Sequence, residues 1–163
     1  MRNQELQEVV MEFGTIEREI YVDAAPEIVF EVVSSPDHVQ QWWPDEASYE
    51  AVPGSTGDLV FGERDAGGTV VAFTVLDVQP PRTFTFRWTQ PAGEAPREGN
   101  SLLVTFDLTP SGTGTLLKMT ERGFREMGWE AAVLEQQYLE HVAGWDFYLD
   151  RLVHYAAAVG TRP

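Results

Sequence analysis

Apolar and polar residues alternate from Thr15 to Val22: Ile16, Ile20 and Val22 fall on one side, Glu17, Glu19 and Tyr21 on the other. That period of two predicts a half-buried strand, with Arg18 as the odd member of its inner face. The period then changes. Pro26 suits a first helical position and Glu27 the first turn, and Ile28, Val29, Phe30, Val32 and Val33 follow. Ser35-Pro36-Asp37 repeats the start signal, with a capping serine and an acid at the positive helix end. Two short helices are therefore predicted after the first strand, ending near Trp42-Trp43-Pro44.

From Ala47 to Arg122 the pattern is one of strands broken by turn chemistry at Pro53-Gly54-Ser55, Ala66-Gly67-Gly68, Pro80-Pro81, Pro91 to Gly99 and Pro110 to Gly114. The clearest strands are Thr69–Val78, Arg82–Thr89, Ser101–Leu108 and Thr115–Arg122. Phe84, Phe86 and Trp88 share one face of the second, with Thr83, Thr85 and Arg87 on the other; Leu102, Val104, Phe106 and Leu108 share a face of the third. Short connections make such strands antiparallel neighbours. Gln90 to Asn100, rich in Pro, Gly and charge, reads as a mobile loop.

No proline interrupts Gly128 to Ala158, and the period becomes helical. Leu134, Tyr138, His141, Val142, Trp145, Leu149, Leu152, Val153 and Ala156 fall on one face, and Glu140, Asp150, Arg151 and His154 on the other. A helix of roughly 30 residues would span about 45 Å. Gly144, inside it, costs about 1 kcal/mol relative to alanine and is expected to admit close approach of the sheet. Trp129 and Phe147 lie off the apolar stripe, and Phe147 with Tyr148 and Tyr155 hints at self-association. Strands and helices segregate, so the fold class is α+β: a curved antiparallel sheet wrapped around a long C-terminal helix. Residues 15–160 read as a single domain and 1–14 as an N-terminal arm or short helix.

Composition narrows the function classes. Of 163 residues, 43% are hydrophobic and 12% aromatic, a globular balance with a heavy aromatic load. Asp and Glu number 26 against 11 Lys and Arg, and the net charge of −15 repels phosphate backbones and anionic membrane surfaces. Nucleic-acid and membrane binding are thereby disfavoured. The absence of cysteine removes disulfides, thiolate catalysis and cysteine-ligated metal. His38, His141 and His154 cannot share an ion, the last two lying on opposite helix faces. No phosphate loop or serine elbow occurs, so neither cofactor nor metal nor catalytic set is expected. The opening residues carry no long apolar stretch, and a cytoplasmic location is the expectation.

Particular residues add a resemblance. Ile20-Tyr21-Val22-Asp23-Ala24 precedes Pro26-Glu27 and Val29-Phe30; Ser35-Pro36-Asp37-His38 leads to Trp42-Trp43; Val78-Gln79-Pro80-Pro81-Arg82 leads to Trp88. Gly114-Thr115 opens the last strand, and Gly144-Trp145 precedes Leu149-Asp150-Arg151-Leu152. In order and spacing the chain resembles the START/birch-pollen-allergen-like superfamily (SRPBCC) with its helix-grip fold, and within it the homologues of the 90-kDa heat-shock-protein ATPase activator. That resemblance implies a cavity between sheet and helix. Its walls are expected from Phe84, Phe86, Trp88, Leu102, Val104 and Phe106 on the sheet, and from Leu134, Tyr138, Val142 and Trp145 on the helix. A filled core is the alternative. His141 borders the apolar face as a ligand-orienting group, a base or a satisfied structural histidine; Glu121 points inward as an acid–base group or as a partner of Arg18 or Arg87. The function implied is binding of a small apolar or aromatic ligand, with a stress-related role. A cyclase, aromatase or hydrolase on the same pocket is the alternative, and a co-chaperone of a heat-shock ATPase another. Monomer and homodimer both remain open.

Overall fold

The computed structural model describes residues 13–161, and the predicted arm or helix lies, for residues 1–12, outside the described residues. Strand β1 (Thr15–Val22) leads into helices α1 (Pro26–Ser34) and α2 (Pro36–Trp42). Six strands follow: β2 (Glu46–Ser48), β3 (Thr56–Phe61), β4 (Thr69–Gln79), β5 (Thr83–Trp88), β6 (Leu102–Ser111) and β7 (Gly114–Arg122). The last helix is α3 (Ala131–Gly160), 30 residues long. The strands form one antiparallel sheet in the order β1-β7-β6-β5-β4-β3-β2.

The α+β helix-grip architecture is thus the observed one. Meander connections place β2 to β7 side by side, and the long excursion through α1 and α2 returns β1 to the outer edge of β7. Pro26 and Pro36 occupy first-turn positions, where a missing N–H removes no helical bond. Ser35 stands at the start of α2 but makes no side-chain capping bond, so the proline and the acidic first turn set that start. β2 and β3 escape prediction as separate strands because one is three residues long and the other carries Gly57 and Asp58.

Gly114 opens β7, as the Gly114-Thr115 pair implied, and the turn is shorter than the Pro110–Gly114 span expected because β6 runs through Pro110 to Ser111 before the hairpin. A Cβ at Gly114 would run into the Tyr21 ring and the Val22 carbonyl. The glycine therefore permits close packing of β1 on β7.

Register builds the core. Ile16, Glu121, Val104, Phe86 and Val75 are successive partners across five strands and form one inward row. All five are buried, and four are apolar. Trp42 and Trp43 reach this face from the end of α2, and Trp145, Leu149, Leu152 and Ala156 cover it from α3. Every buried residue of α3 lies at or beyond Trp145. The half before Trp145 is less deeply packed, and there a space opens beside the sheet.

Candidate functional site

The odd member of the inward row organises the site. Glu121 has no exposed surface. Its Oε2 accepts from the Trp88 indole Nε1 at 2.8 Å, and its Oε1 from the Trp145 Nε1 at 2.9 Å. His141 Nδ1 lies 2.8 Å from the same Oε1. An indole N–H can only donate, and a carboxylate can only accept, so both oxygens are used as acceptors and His141 donates from Nδ1. A buried carboxylate is tolerable when donors surround it in this way; unpaired, it would be costly. Strand β5 supplies Trp88, β7 supplies Glu121, and one turn of α3 carries His141 and Trp145 four residues apart on the same face. The carboxylate thus ties helix to sheet.

Above it stands an aromatic cluster. The Trp43 ring lies 4.9 Å from Trp88, 5.0 Å from Trp145 and 5.7 Å from Phe86, centroid to centroid. Such contacts contribute about 0.5–1.5 kcal/mol each beyond area burial. Beside the cluster a cleft of about 400 Å³ is lined by Trp43, Phe61, Thr69, Val71, Trp88 and Thr89 on one side. Gln137, Glu140, His141, Gly144, Trp145 and Tyr148 line it from α3. Five of its twelve wall residues are aromatic and five are polar.

Two wall residues break local preference. Gly144 sits mid-helix, yet a Cβ built there meets nothing within 4 Å. The close sheet approach expected of it does not occur; its missing side chain is cleft space. Thr89 has φ 70°, a left-handed conformation that a β-branched residue adopts at a cost of about 1–2 kcal/mol. Its N–H donates to the Ala72 carbonyl at 3.0 Å, extending the β4–β5 ladder by one bond past the end of β5. The Thr89 hydroxyl is buried with no partner among the described residues.

Of the expected pocket residues, Trp88, His141 and Trp145 stand in the cleft wall and Glu121 directly behind them. Phe84, Phe86, Leu102, Val104 and Phe106 lie in the filled core, away from the cleft. Leu134, Tyr138 and Val142 pack against that core on a neighbouring flank of α3; the Tyr138 hydroxyl donates to the Thr15 carbonyl at 2.9 Å, and its ring meets Phe124 at 5.4 Å. The cleft follows the stripe Gln137, Glu140, His141, Gly144, Tyr148 instead. Helical spacing placed only His141 of that stripe at the border of the apolar face, and put Glu140 on the opposite face. Thr89 and Trp43 carried no local signal for the site at all.

Glu121 pairs with neither arginine weighed for it. Arg18 bonds Asp146 of α3 at 2.7 Å, because β1 is an edge strand and its side chain reaches past the core. Arg87 alternates to the outer sheet face and donates to the Ser101 carbonyl at 3.2 Å. His38 meets the Tyr155 hydroxyl at 2.7 Å, while His154 is exposed beside Asp150. Among the described residues no three His, Asp or Glu side chains gather as a metal site. Trp129 packs against the core and Phe147 is 59% exposed, its ring 5.1 Å from Tyr148. No helix among the described residues is long and apolar enough to cross a membrane.

The family model described as Activator of Hsp90 ATPase homolog 1-like protein matches residues 23–157. The chain belongs to this family. Its fold is shared, at low identity, with several solved structures. A protein from Mesorhizobium loti is 22% identical with a TM-score of 0.69, the match covering 91% of this chain and 99% of that one. The Aha1 dimer from Colwellia psychrerythraea is also 22% identical, TM-score 0.62, covering 91% and 98%. CalU16 from Micromonospora echinospora is 23% identical, TM-score 0.65, covering 91% and 68%. No curated protein matches the chain. Family membership fits the SRPBCC resemblance, and these likenesses establish the scaffold rather than its chemistry.

Proposed function

We infer that the protein binds a small hydrophobic or aromatic ligand in the cleft between the sheet and α3. One observation carries the reading: Gly144 is a mid-helix glycine with open space where its Cβ would be, and that space is the cleft. Glycine there costs the helix about 1 kcal/mol with no packing reason. A volume of about 400 Å³ falls in the range of roughly 300–1,000 Å³ usual for ligand sites, and five of the twelve wall residues are aromatic.

The test is occlusion. Aromatic compounds are titrated against tryptophan fluorescence, since Trp43, Trp88 and Trp145 all line the cleft. Binding at one site is expected in the native protein and its loss in Gly144→Leu, with the melting temperature of that variant preserved. Unchanged binding in the folded Gly144→Leu protein overturns the reading.

A second reading rests on family membership: association with an ATP-driven 90-kDa heat-shock chaperone. It is tested by adding the protein to the chaperone and measuring ATP turnover. No association and no change in turnover removes it.

A further inference from the structure

We propose that the cleft selects an aromatic ligand carrying a hydroxyl group, which donates a hydrogen bond to His141. The proposal rests on the cleft being the ligand site. His141 turns its Nδ1 edge to Glu121, which is wholly buried and engaged by both indoles. The neutral imidazole in that tautomer keeps a lone pair on Nε2. No hydrogen bond among the described residues reaches Nε2. The buried polar side-chain atoms left without a partner there are Thr89 Oγ1 and Gln90 Oε1, so Nε2 is open to solvent. The side chain is 16% exposed and forms part of the cleft wall. The cleft thus presents a hydrogen-bond acceptor of fixed orientation, its ring held 5.5 Å from Trp88 and 5.3 Å from Phe124.

An aromatic hydroxyl satisfies that acceptor: its O–H donates to His141 Nε2. The ring stacks among Trp43, Trp88 and Trp145. A plain hydrocarbon or an ether lacks the donor and leaves Nε2 stripped of water.

Three probes of nearly equal size separate these terms: hydroxynaphthalene, methoxynaphthalene and naphthalene, titrated against the full chain. Hydroxynaphthalene is expected to bind about tenfold more tightly than the other two. His141→Phe brings the three affinities together by weakening hydroxynaphthalene alone. The wild-type protein gives a readout that needs no variant: the Nε2 nitrogen resonance of His141 shifts on adding hydroxynaphthalene and not on adding methoxynaphthalene. Equal affinities for all three, abolished by Gly144→Leu, overturn this proposal and leave the cleft reading intact. An Nε2 resonance unmoved by bound hydroxynaphthalene also overturns it. Failure of every probe to bind overturns both.

Discussion

Replacing Glu121 by glutamine changes one oxygen to an amide nitrogen and tests whether the buried carboxylate holds helix to sheet. Three N–H groups converge on it, at 2.8 Å from Trp88, 2.9 Å from Trp145 and 2.8 Å from His141. A carboxamide has one acceptor oxygen and two donors of its own. With its oxygen at the Oε1 position it accepts from Trp145 and His141, and its NH₂ confronts the Trp88 indole. Turned over, it accepts from Trp88; His141 can change tautomer to accept from the NH₂, but the Trp145 indole is then opposed. Either orientation leaves one buried indole N–H unpaired. An unpaired buried donor costs about 1–3 kcal/mol, and hydrogen bonds to a charged acceptor contribute about 1.5–3 kcal/mol each. Relief of the buried charge offsets part of this, so Glu121→Gln is expected to destabilise by about 2–4 kcal/mol. For a chain of this length that lowers the melting temperature by about 5–15 °C. Thermal unfolding followed by tryptophan fluorescence measures it, and the indole N–H resonances of Trp88 and Trp145 identify the lost bond. A melting temperature within about 2 °C of wild type would refute the reasoning.

Gly144→Ala is expected to stabilise the protein by about 1 kcal/mol, because the new methyl has open space and a helix favours alanine; calorimetry reads it as a higher melting temperature. Thr89→Gly is likewise expected to gain about 1 kcal/mol, strain relief and loss of the orphaned hydroxyl outweighing the flexibility of glycine in the unfolded chain, as urea unfolding would show. Burial pushes the Tyr49 hydroxyl well above its ordinary value of 10.0, while the hydroxyl donates to the Ser34 carbonyl at 2.7 Å. Above about pH 10 the unfolded chain gives up that proton first, so stability falls as pH rises; Tyr49→Phe should lessen the alkaline fall while costing about 1 kcal/mol at neutral pH, checked by denaturation across pH. Asp146→Ala breaks a pair whose side chains are 33% and 54% exposed, and less than about 1 kcal/mol should be lost in the same assay.

Gly144 and Thr89 have a common meaning. Both depart from what their local structure prefers, both could be replaced with a gain in stability, and both line one cleft. Departures from local consistency that converge on one place are what a site leaves behind in a folded chain.

Period and punctuation alone determined most of the scaffold. The two-residue alternation of β1 and β5, the prolines that open α1 and α2, and the proline-free apolar stripe of α3 are local signals, each set by backbone sterics and burial of one face. Glu121 was legible as an inward carboxylate from its alternation with Leu117 and Met119, but its partners were not. Those come from two other elements, β5 and α3, up to 33 residues from Glu121, brought together by register and by the angle of α3. The cleft was less legible still. Alternation says that Phe84, Phe86 and Trp88 face inward, not that the first two are capped by other rings while the third borders open space. Along the chain, the stripe Gln137, Glu140, His141, Gly144, Tyr148 does not read as one face: His141 borders the apolar stripe and Glu140 falls on the opposite side. Only tertiary packing turns these residues toward Thr69, Val71 and Thr89, because the helix is anchored to the core from Trp145 onward and its earlier turns stand beside the sheet.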